Sequence, residues 1–334
     1  MTLQSVPIID ISPFYTGGPE GRRRVGKEID RACTDIGFLQ IVGHQVPERL
    51  IQDTYDISRA FFDLPLEEKM KVKRPAVDQV RGYSPICDEG VSYSLGEPTP
   101  GDLKESLSIG PFDVPDDDPY YHCEAAGPHF APNCWPEALP ELRPLWERYF
   151  RAMEQLSADL MTMFAIGLDL PEDFFAPTID RHISMFRVIN YPDQPDPPEP
   201  GQLRVGPHSD YGSLTIVRQE ASPGGLQVRN KAGEWVDVPV VDGALVVNIG
   251  DLMAEWTNDR WVSTMHRVVN PPRDKALGSR RQSLVFFHQP NYDAVVEVLP
   301  SCCGPDNPPK YRPITSGEHL YNKFIRQTTF GAGA

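Results

Sequence analysis

From residue 183 onward the sequence falls into seven short runs rich in β-branched and aromatic residues, at 183–191, 213–219, 226–229, 235–240, 244–249, 266–269 and 283–288. Gly, Pro, Asn and Asp punctuate them. Short strands at regular spacing, with turn signals between them, predict an antiparallel sandwich or barrel rather than a parallel sheet crossed by helices. Neither a GxGxxG nor a GxxxxGK[ST] stretch is present, so dinucleotide-binding and P-loop readings lose their main support.

The first half reads differently. Strands are predicted at 6–11 and 38–42, a helix over 22–35, and helical character over 47–71. The stretch 73–135 is rich in Pro, Gly and Asp and predicts loops with short strands, one at 107–109. The strongest helix signal covers 140–168. Leu142, Leu145, Trp146, Tyr149, Met153, Leu156, Leu160 and Met163 follow the i, i+3, i+4, i+7 stripe of a helix with one face in the core. A further helix is predicted at 317–326.

Composition narrows the function classes. Thirty-five prolines in 334 residues is about twice average usage and disfavours long bundles and coiled coils. A net charge of −15 argues against a protein that neutralises nucleic-acid phosphates or anionic membrane surfaces. No run approaches the ~18 apolar residues of a membrane span, and residues 1–10 lack the basic region of a signal peptide. The six cysteines form no CxxC pair, which predicts free thiols and a cytoplasmic protein.

His208 and Asp210 stand two apart in Gly206-Pro207-His208-Ser209-Asp210. On an extended strand a period of two points both side chains to one face. An imidazole and a carboxylate there can take adjacent positions on a metal, with His266, in the strand-like run at 266–269, as the third ligand. Two His and one carboxylate leave open positions that suit non-haem Fe(II) and O2 chemistry. A zinc hydrolase could use the same donors, but it leaves a second feature unexplained. Arg281 and Ser283 also share a strand face, beside the apolar run Leu284-Val285-Phe286-Phe287. A guanidinium with a hydroxyl makes a charge-assisted carboxylate grip, and Tyr191 offers another polar group ahead of the His208 segment. The other six histidines (His44, His122, His129, His182, His288 and His319) have no partner at ligand spacing and read as polar packing residues.

At these residues the chain resembles the iron- and 2-oxoglutarate-dependent oxygenases of the isopenicillin N synthase type. The resemblance runs through nearly the whole chain in order: Val6-Pro7-Ile8-Ile9-Asp10, Gly37-Phe38 with Gly43-His44, Phe61-Phe62 with Leu64-Pro65, Arg81-Gly82-Tyr83, Asp102-Leu103-Lys104-Glu105, Asn190-Tyr191-Pro192, His208-Ser209-Asp210, Gly224-Gly225-Leu226-Gln227-Val228, Val247-Asn248-Ile249-Gly250-Asp251, His266-Arg267-Val268 and Arg281-Gln282-Ser283. It implies a mixed α/β, mainly β fold: a double-stranded β-helix, or jelly roll, with an N-terminal helical and mixed region and the 140–168 helix backing the major sheet. It implies one integral domain over 1–334, with the mixed region at 1–135 and the iron-bearing core at 180–295.

The resemblance further implies that His208, Asp210 and His266 hold iron, and that Arg281 and Ser283 grip the distal carboxylate of 2-oxoglutarate with Tyr191 assisting. Arg280 is the neighbouring candidate for the grip; strand parity with Ser283 selects Arg281. The stretch 270–280 is longer than in plant members and reads as an extended hairpin loop. The activity implied is oxidation of an unactivated C–H of a small molecule, by hydroxylation or else desaturation, epoxidation or cyclisation, in the manner of secondary metabolism. It consumes 2-oxoglutarate and O2, releases succinate and CO2, and takes ascorbate as reductant in vitro. The partner is a small-molecule substrate, with no nucleic acid and no membrane, and the chain is expected to be a monomer or weak homo-oligomer. Candidate substrate residues are Arg81, Tyr83, Asp88, Phe186, Arg204, Val205 and Phe287. Two other readings remain open: an iron oxidase that needs no 2-oxoglutarate, whose Arg281 binds the substrate carboxylate, and a non-catalytic metal- or 2-oxoglutarate-sensing protein.

Overall fold

The computed structural model describes residues 5–76, 79–92, 99–127 and 129–329. Its N-terminal part supplies strands β1 (Ile8–Asp10), β2 (Phe38–Val42), β3 (Gly82–Ser84) and β4 (Glu105–Ile109). The core follows as β5 (Met185–Tyr191), β6 (Val205–His208), β7 (Leu214–Gln219), β8 (Gly225–Arg229), β9 (Trp235–Asp237), β10 (Leu245–Ile249), β11 (His266–Val269) and β12 (Arg281–His288). A small pair, β13 (Val295–Val296) with β14 (Ile314–Thr315), comes after it.

Two sheets make the jelly roll. The larger has eight strands in the order β1-β2-β10-β7-β12-β5-β4-β3, and the smaller is β6-β11-β8-β9. Successive core strands switch between the two sheets, with β8 and β9 as the one consecutive pair on the same side. The N-terminal strands complete both ends of the large sheet: β2 pairs with β10, and β4 with β5. Because β11 and β12 lie in different sheets, the 270–280 stretch is a crossover carrying a 3-10 turn at Arg273–Lys275; the expected hairpin is corrected.

The large sheet is covered on both faces, so its central strands carry two sets of buried residues. On β12, Leu284 and Phe286 join the main core, while Arg281, Ser283, Val285 and Phe287 face the interior between the sheets. That division is the period-two rule acting on one strand. The 26-residue helix Leu142–Gly167 backs the first face, with all but Leu145 of its predicted stripe fully buried. Trp146 and Tyr149 lie 4.9 and 4.8 Å from the Phe186 ring, and Phe150 lies 5.1 Å from Phe286. Each such aromatic contributes about 1.5–3 kcal/mol by burial.

Helical character expected without interruption over 47–71 is split into Glu48–Phe62 and Leu66–Met70. Pro65 causes the break: it lacks a donor and disfavours helical backbone at the residue before it. The strand at 107–109 begins earlier, at Glu105, because Glu105 and Ser106 are polar yet buried in paired backbone. No helix among the described residues is long and apolar enough to cross a membrane. The six cysteines are free thiols.

Candidate metal centre and ligand chambers

His208 ends β6, Asp210 lies just past it, and His266 opens β11 beside it, its Cα paired with that of His208. One ligand atom from each of the three lies within 4.8 Å of the others. Asp210 Oδ1 is 3.8 Å from His208 Nε2 and 3.7 Å from His266 Nε2. Each imidazole is turned by its other nitrogen: Nδ1 of His208 donates to the Gly206 carbonyl at 2.9 Å, and Nδ1 of His266 to the Thr264 carbonyl at 3.1 Å. Both Nε2 lone pairs are thereby left for a metal. Asp210 is oriented in the same way, since its Oδ2 accepts from Thr215 Oγ1 at 2.6 Å and Asn248 Nδ2 at 2.7 Å, which leaves Oδ1 free.

The electrostatics agree with a ligand set. Burial, then His266, pushes the His208 imidazole down to about 3, so it is neutral at pH 7. Burial opposes ionisation of Asp210, but the two imidazoles and the bonds from Asn248 and Thr215 outweigh it and hold the carboxyl below its ordinary range. Phe38 packs edge-on against the His266 ring at 5.3 Å. Two imidazoles and one carboxylate converging on one point leave the other positions of a hexacoordinate ferrous ion open, and so fit it.

Behind the triad, between the sheets, lies a cavity of about 70 Å³. Arg281, Ser283, Tyr191, Val205, Gln219 and Phe287 are on its wall. Arg281 is 2% exposed. Its Nη2 reaches Gln219 Oε1 at a long 3.5 Å, while Nε and Nη1 have no partner. A buried guanidinium left this short of acceptors is costly unless an anion completes it. Tyr191 stands 5.3 Å below the guanidinium; burial raises its phenol and Arg281 partly offsets this. Arg280 turns the other way, bonding Asp63 at 2.5 Å and Asn190 at 3.1 Å.

In front of the triad a second cavity, about 140 Å³, opens outward and shares His208, Asp210 and Phe287 with the first. Of the substrate candidates, Arg81 and Phe287 line this outer cavity and Val205 the inner one. The other four do not. Tyr83 is in the core against Phe61, its hydroxyl donating to Glu105 at 2.6 Å. Asp88 is paired with Arg74 and Lys73 at 3.0 and 3.6 Å. Phe186 faces the Leu142–Gly167 helix. Arg204 is spent on the oxygens of Pro192, Pro223 and Ser279.

Several lining residues lie outside the sequence-derived set. Met185 and Arg187 have the strand parity of Tyr191, whereas Phe186 has the opposite parity, a signal the sequence itself carries. Glu89 and His129 come from loops, and Leu320 and Tyr321 from the helix Ser316–Thr329. No periodicity points to these; His129, read from the sequence as a packing residue, stacks on Tyr292 and also borders the cavity.

Residues 6–138 match the family described as the N-terminal region of the non-haem dioxygenase in morphine synthesis, and residues 182–290 match the 2OG-Fe(II) oxygenase superfamily. The 2-oxoglutarate-Fe(II) type oxidoreductase hxnY of Emericella nidulans is 37% identical over 314 residues, spanning 92% of this chain and 86% of that protein. The validamycin A dioxygenase of Streptomyces hygroscopicus subsp. limoneus is 32% identical, spanning 97% and 87%. The crystal structure of a full-length Neurospora crassa protein in complex with alpha-KG and thymine superposes with a TM-score of 0.83 at 30% identity, covering 96% of each chain. With a converging His-Asp-His triad on a jelly roll, and with relatives of this kind along almost its full length, the chain belongs to the non-haem Fe(II), 2-oxoglutarate-dependent oxygenases of the isopenicillin N synthase-like superfamily.

Proposed function

We propose that His208, Asp210 and His266 hold the Fe(II), that Arg281, Ser283 and Tyr191 hold 2-oxoglutarate by its distal carboxylate, and that a small molecule in the outer cavity is hydroxylated at an unactivated C–H. The observation that carries this reading is Arg281, a buried cation with two unpartnered nitrogens, in a cavity that shares its wall with the triad. When bound, the ferrous ion supplies O2 activation coupled to oxidative decarboxylation of 2-oxoglutarate to succinate and CO2.

The chain's own residues do the rest. The carbonyls of Gly206 and Thr264 fix the ring orientation of both imidazoles. Thr215 and Asn248 hold Asp210 ionised and turned toward them. Arg281 and Ser283 give the co-substrate one end and one orientation, and Phe38, Val205, Leu226 and Val268 keep the inner chamber dry. Phe287 borders both chambers and sets how near the substrate's carbon can come to the metal side. Desaturation, epoxidation or cyclisation needs a different substrate pose on the same parts.

The reading extends to a cytoplasmic enzyme, supported by its free thiols, acting as a monomer or weak homo-oligomer without nucleic acid. A substrate screen with Fe(II), ascorbate and 2-oxoglutarate tests it, with succinate as the readout. One succinate per oxidised substrate is expected. Turnover that proceeds without 2-oxoglutarate overturns it in favour of an oxidase whose Arg281 binds the substrate itself.

A further inference from the structure

Arg81 is a buried cation on the wall of the outer cavity with a nitrogen left unpartnered. Its side chain is 1% exposed, yet it forms part of the outer cavity wall with His129 and Arg187. Among the described residues its hydrogen bond runs from Nη2 to the His129 carbonyl, and Nε has none. It takes part in no ion pair among the described residues. Burial lowers its pKa to about 10, which leaves it cationic at pH 7. The guanidinium lies against bare backbone, because a Cβ at Gly110 would overlap it. Asn133 holds that backbone on both sides, accepting from the Gly110 N–H at 2.8 Å and donating to its carbonyl at 3.0 Å. Arg204, just as deeply buried, differs in degree: its Nε is also unpartnered, but its two Nη atoms donate to three carbonyls and a hydroxyl, where Arg81 has a single carbonyl.

The neighbouring acid cannot serve Arg81. Glu89 on the same wall already receives Lys104 at 3.1 Å, Arg187 at 3.2 Å and Arg74 at 3.4 Å. Those three cations overcome the burial penalty and hold its carboxyl far below the usual range. Asp88 pairs with Arg74 and Lys73, and Asp102 with Lys104. On the cavity wall itself Arg81 and Arg187 stand with Glu89 and Asp210, two cations and two carboxylates, in a chain whose net charge is −15. Glu89 is taken up by its three cations and Asp210 faces the two imidazoles, so Arg81 is the wall charge with no counter-ion among the described residues, and low-dielectric walls strengthen its pull on an anion. Val91, Ile183, Met185, Phe287 and Leu320 give the rest of the cavity an apolar lining.

We propose that the substrate of this oxygenase is a carboxylate-bearing small molecule whose anionic end is received by Arg81, with its apolar body laid along Val91, Ile183, Met185 and Phe287 toward the triad. This rests on the outer cavity being the substrate chamber. Arg81 supplies the charge-assisted bonds, and Arg187 adds positive potential while staying tied to Ser108 at 2.8 Å and to Glu89. A neutral or cationic substrate would leave the Arg81 charge buried and uncompensated.

The test is thermal protection of the full chain, kept anaerobic with Fe(II) and saturating 2-oxoglutarate, by matched acid and amide probes: acetate and acetamide, hexanoate and hexanamide, phenylacetate and phenylacetamide. At least one acid is expected to bind about tenfold or more tightly than its amide. Arg81→Gln should erase that preference and Arg81→Lys should keep part of it. The inner chamber is scored separately: 2-oxoglutarate should protect Arg81→Gln as it protects the wild type, and should protect Arg281→Ala only at concentrations about 30-fold or more higher. The proposal is overturned if no acid outbinds its amide, or if the preference survives in Arg81→Gln. Equal protection of Arg281→Ala and wild type by 2-oxoglutarate sinks the inner-chamber assignment instead. Ligand-free melting gives an independent check. A buried cation with a single carbonyl partner offsets little of its desolvation cost, so Arg81→Gln should melt no more than about 2 °C below wild type. A larger fall means that Arg81 is structural and overturns the proposal.

Discussion

The inner and outer chambers share His208, Asp210 and Phe287 but are built by different means. The inner one is walled mainly by side chains of paired strands: Phe38 on β2, Tyr191 on β5, Gln219 on β7, Asn248 on β10, His266 on β11, and Arg281 with Ser283 on β12. Each points inward because alternation on a hydrogen-bonded ladder leaves it no other direction. The outer one borrows Met185, Arg187 and Phe287 from strands and takes Arg81, Glu89, Val91 and His129 from the N-terminal region between residues 80 and 130. A reaction common to many substrates needs fixed geometry, which strands supply; choosing one substrate needs residues that can change without disturbing the sheet, which loops supply.

That contrast can be broken most severely at the triad. His266→Ala is expected to abolish iron binding and turnover while the fold persists, because the ring sits beside the core rather than holding it together. Metal content after dialysis, together with the melting curve, checks this; a variant that keeps near wild-type iron and activity removes His266 from the ligand set. The next largest effect is at Arg281. Truncating a buried charge-assisted contact costs roughly 2–5 kcal/mol, so Arg281→Ala should weaken the apparent 2-oxoglutarate constant about 30-fold or more. Arg281→Lys should recover only part, since a point charge cannot reproduce a planar fork. Arg280→Ala, which loses its bonds to Asp63 and Asn190 instead, should leave the constant nearly unchanged. Equal losses at 280 and 281 would mean that strand parity does not decide which arginine faces the chamber.

The smallest effect separates the two chambers by pH. Burial, then Arg81, depresses the His129 imidazole to about 4, against about 6.5 in an unfolded chain. Between those values the unfolded state binds the proton and the folded state does not, so stability rises with pH and is lost on acidification through that window. His129→Gln should flatten the melting temperature between about pH 4.5 and 6.5 relative to wild type, by about the contribution of one group. His288, pushed down to about 3 by burial and then His182, adds slope of the same sign, so some remains. The 2-oxoglutarate constant should not change in this variant; if it does, the chambers are coupled more closely than their separate walls suggest.

The same contrast governs what the sequence discloses. Seven of the eight core strands, the long backing helix and the period-two pairs His208/Asp210 and Arg281/Ser283 are visible without coordinates, whereas β6, with its Gly206-Pro207, falls outside the β-rich runs. Phe186 departs from its expected place for a reason the sequence contains, its parity being opposite to that of Tyr191. Tyr83, Asp88 and Arg204 depart for another reason: each is polar and close in sequence to the family's motifs, but its partners, Glu105, Arg74 and the Ser279 carbonyl, are set by tertiary contacts. Glu89, His129 and the Leu320–Tyr321 pair reach the outer cavity by the paths of their segments, and no local pattern announces such a path. Pro65, by contrast, announces a helix break that the hydrophobic stripe over 47–71 conceals.

The pairing of β2 with β10 also has a consequence in time. Leu39 and Val247 are register partners, and the two strands are about two hundred residues apart in the chain. At the usual ribosomal rate of about 5–20 residues per second, β2 emerges on the order of ten seconds or more before the strand that will cover its edge. Until then its buried run, Phe38 to Ile41, has only the three residues of β1 beside it. Sheet completion is thus a late event of synthesis, and folding from the full-length denatured chain must first close a very long loop. A sheet that closes only when β10 arrives leaves the β2 edge open to other chains until then, whatever happens at the metal.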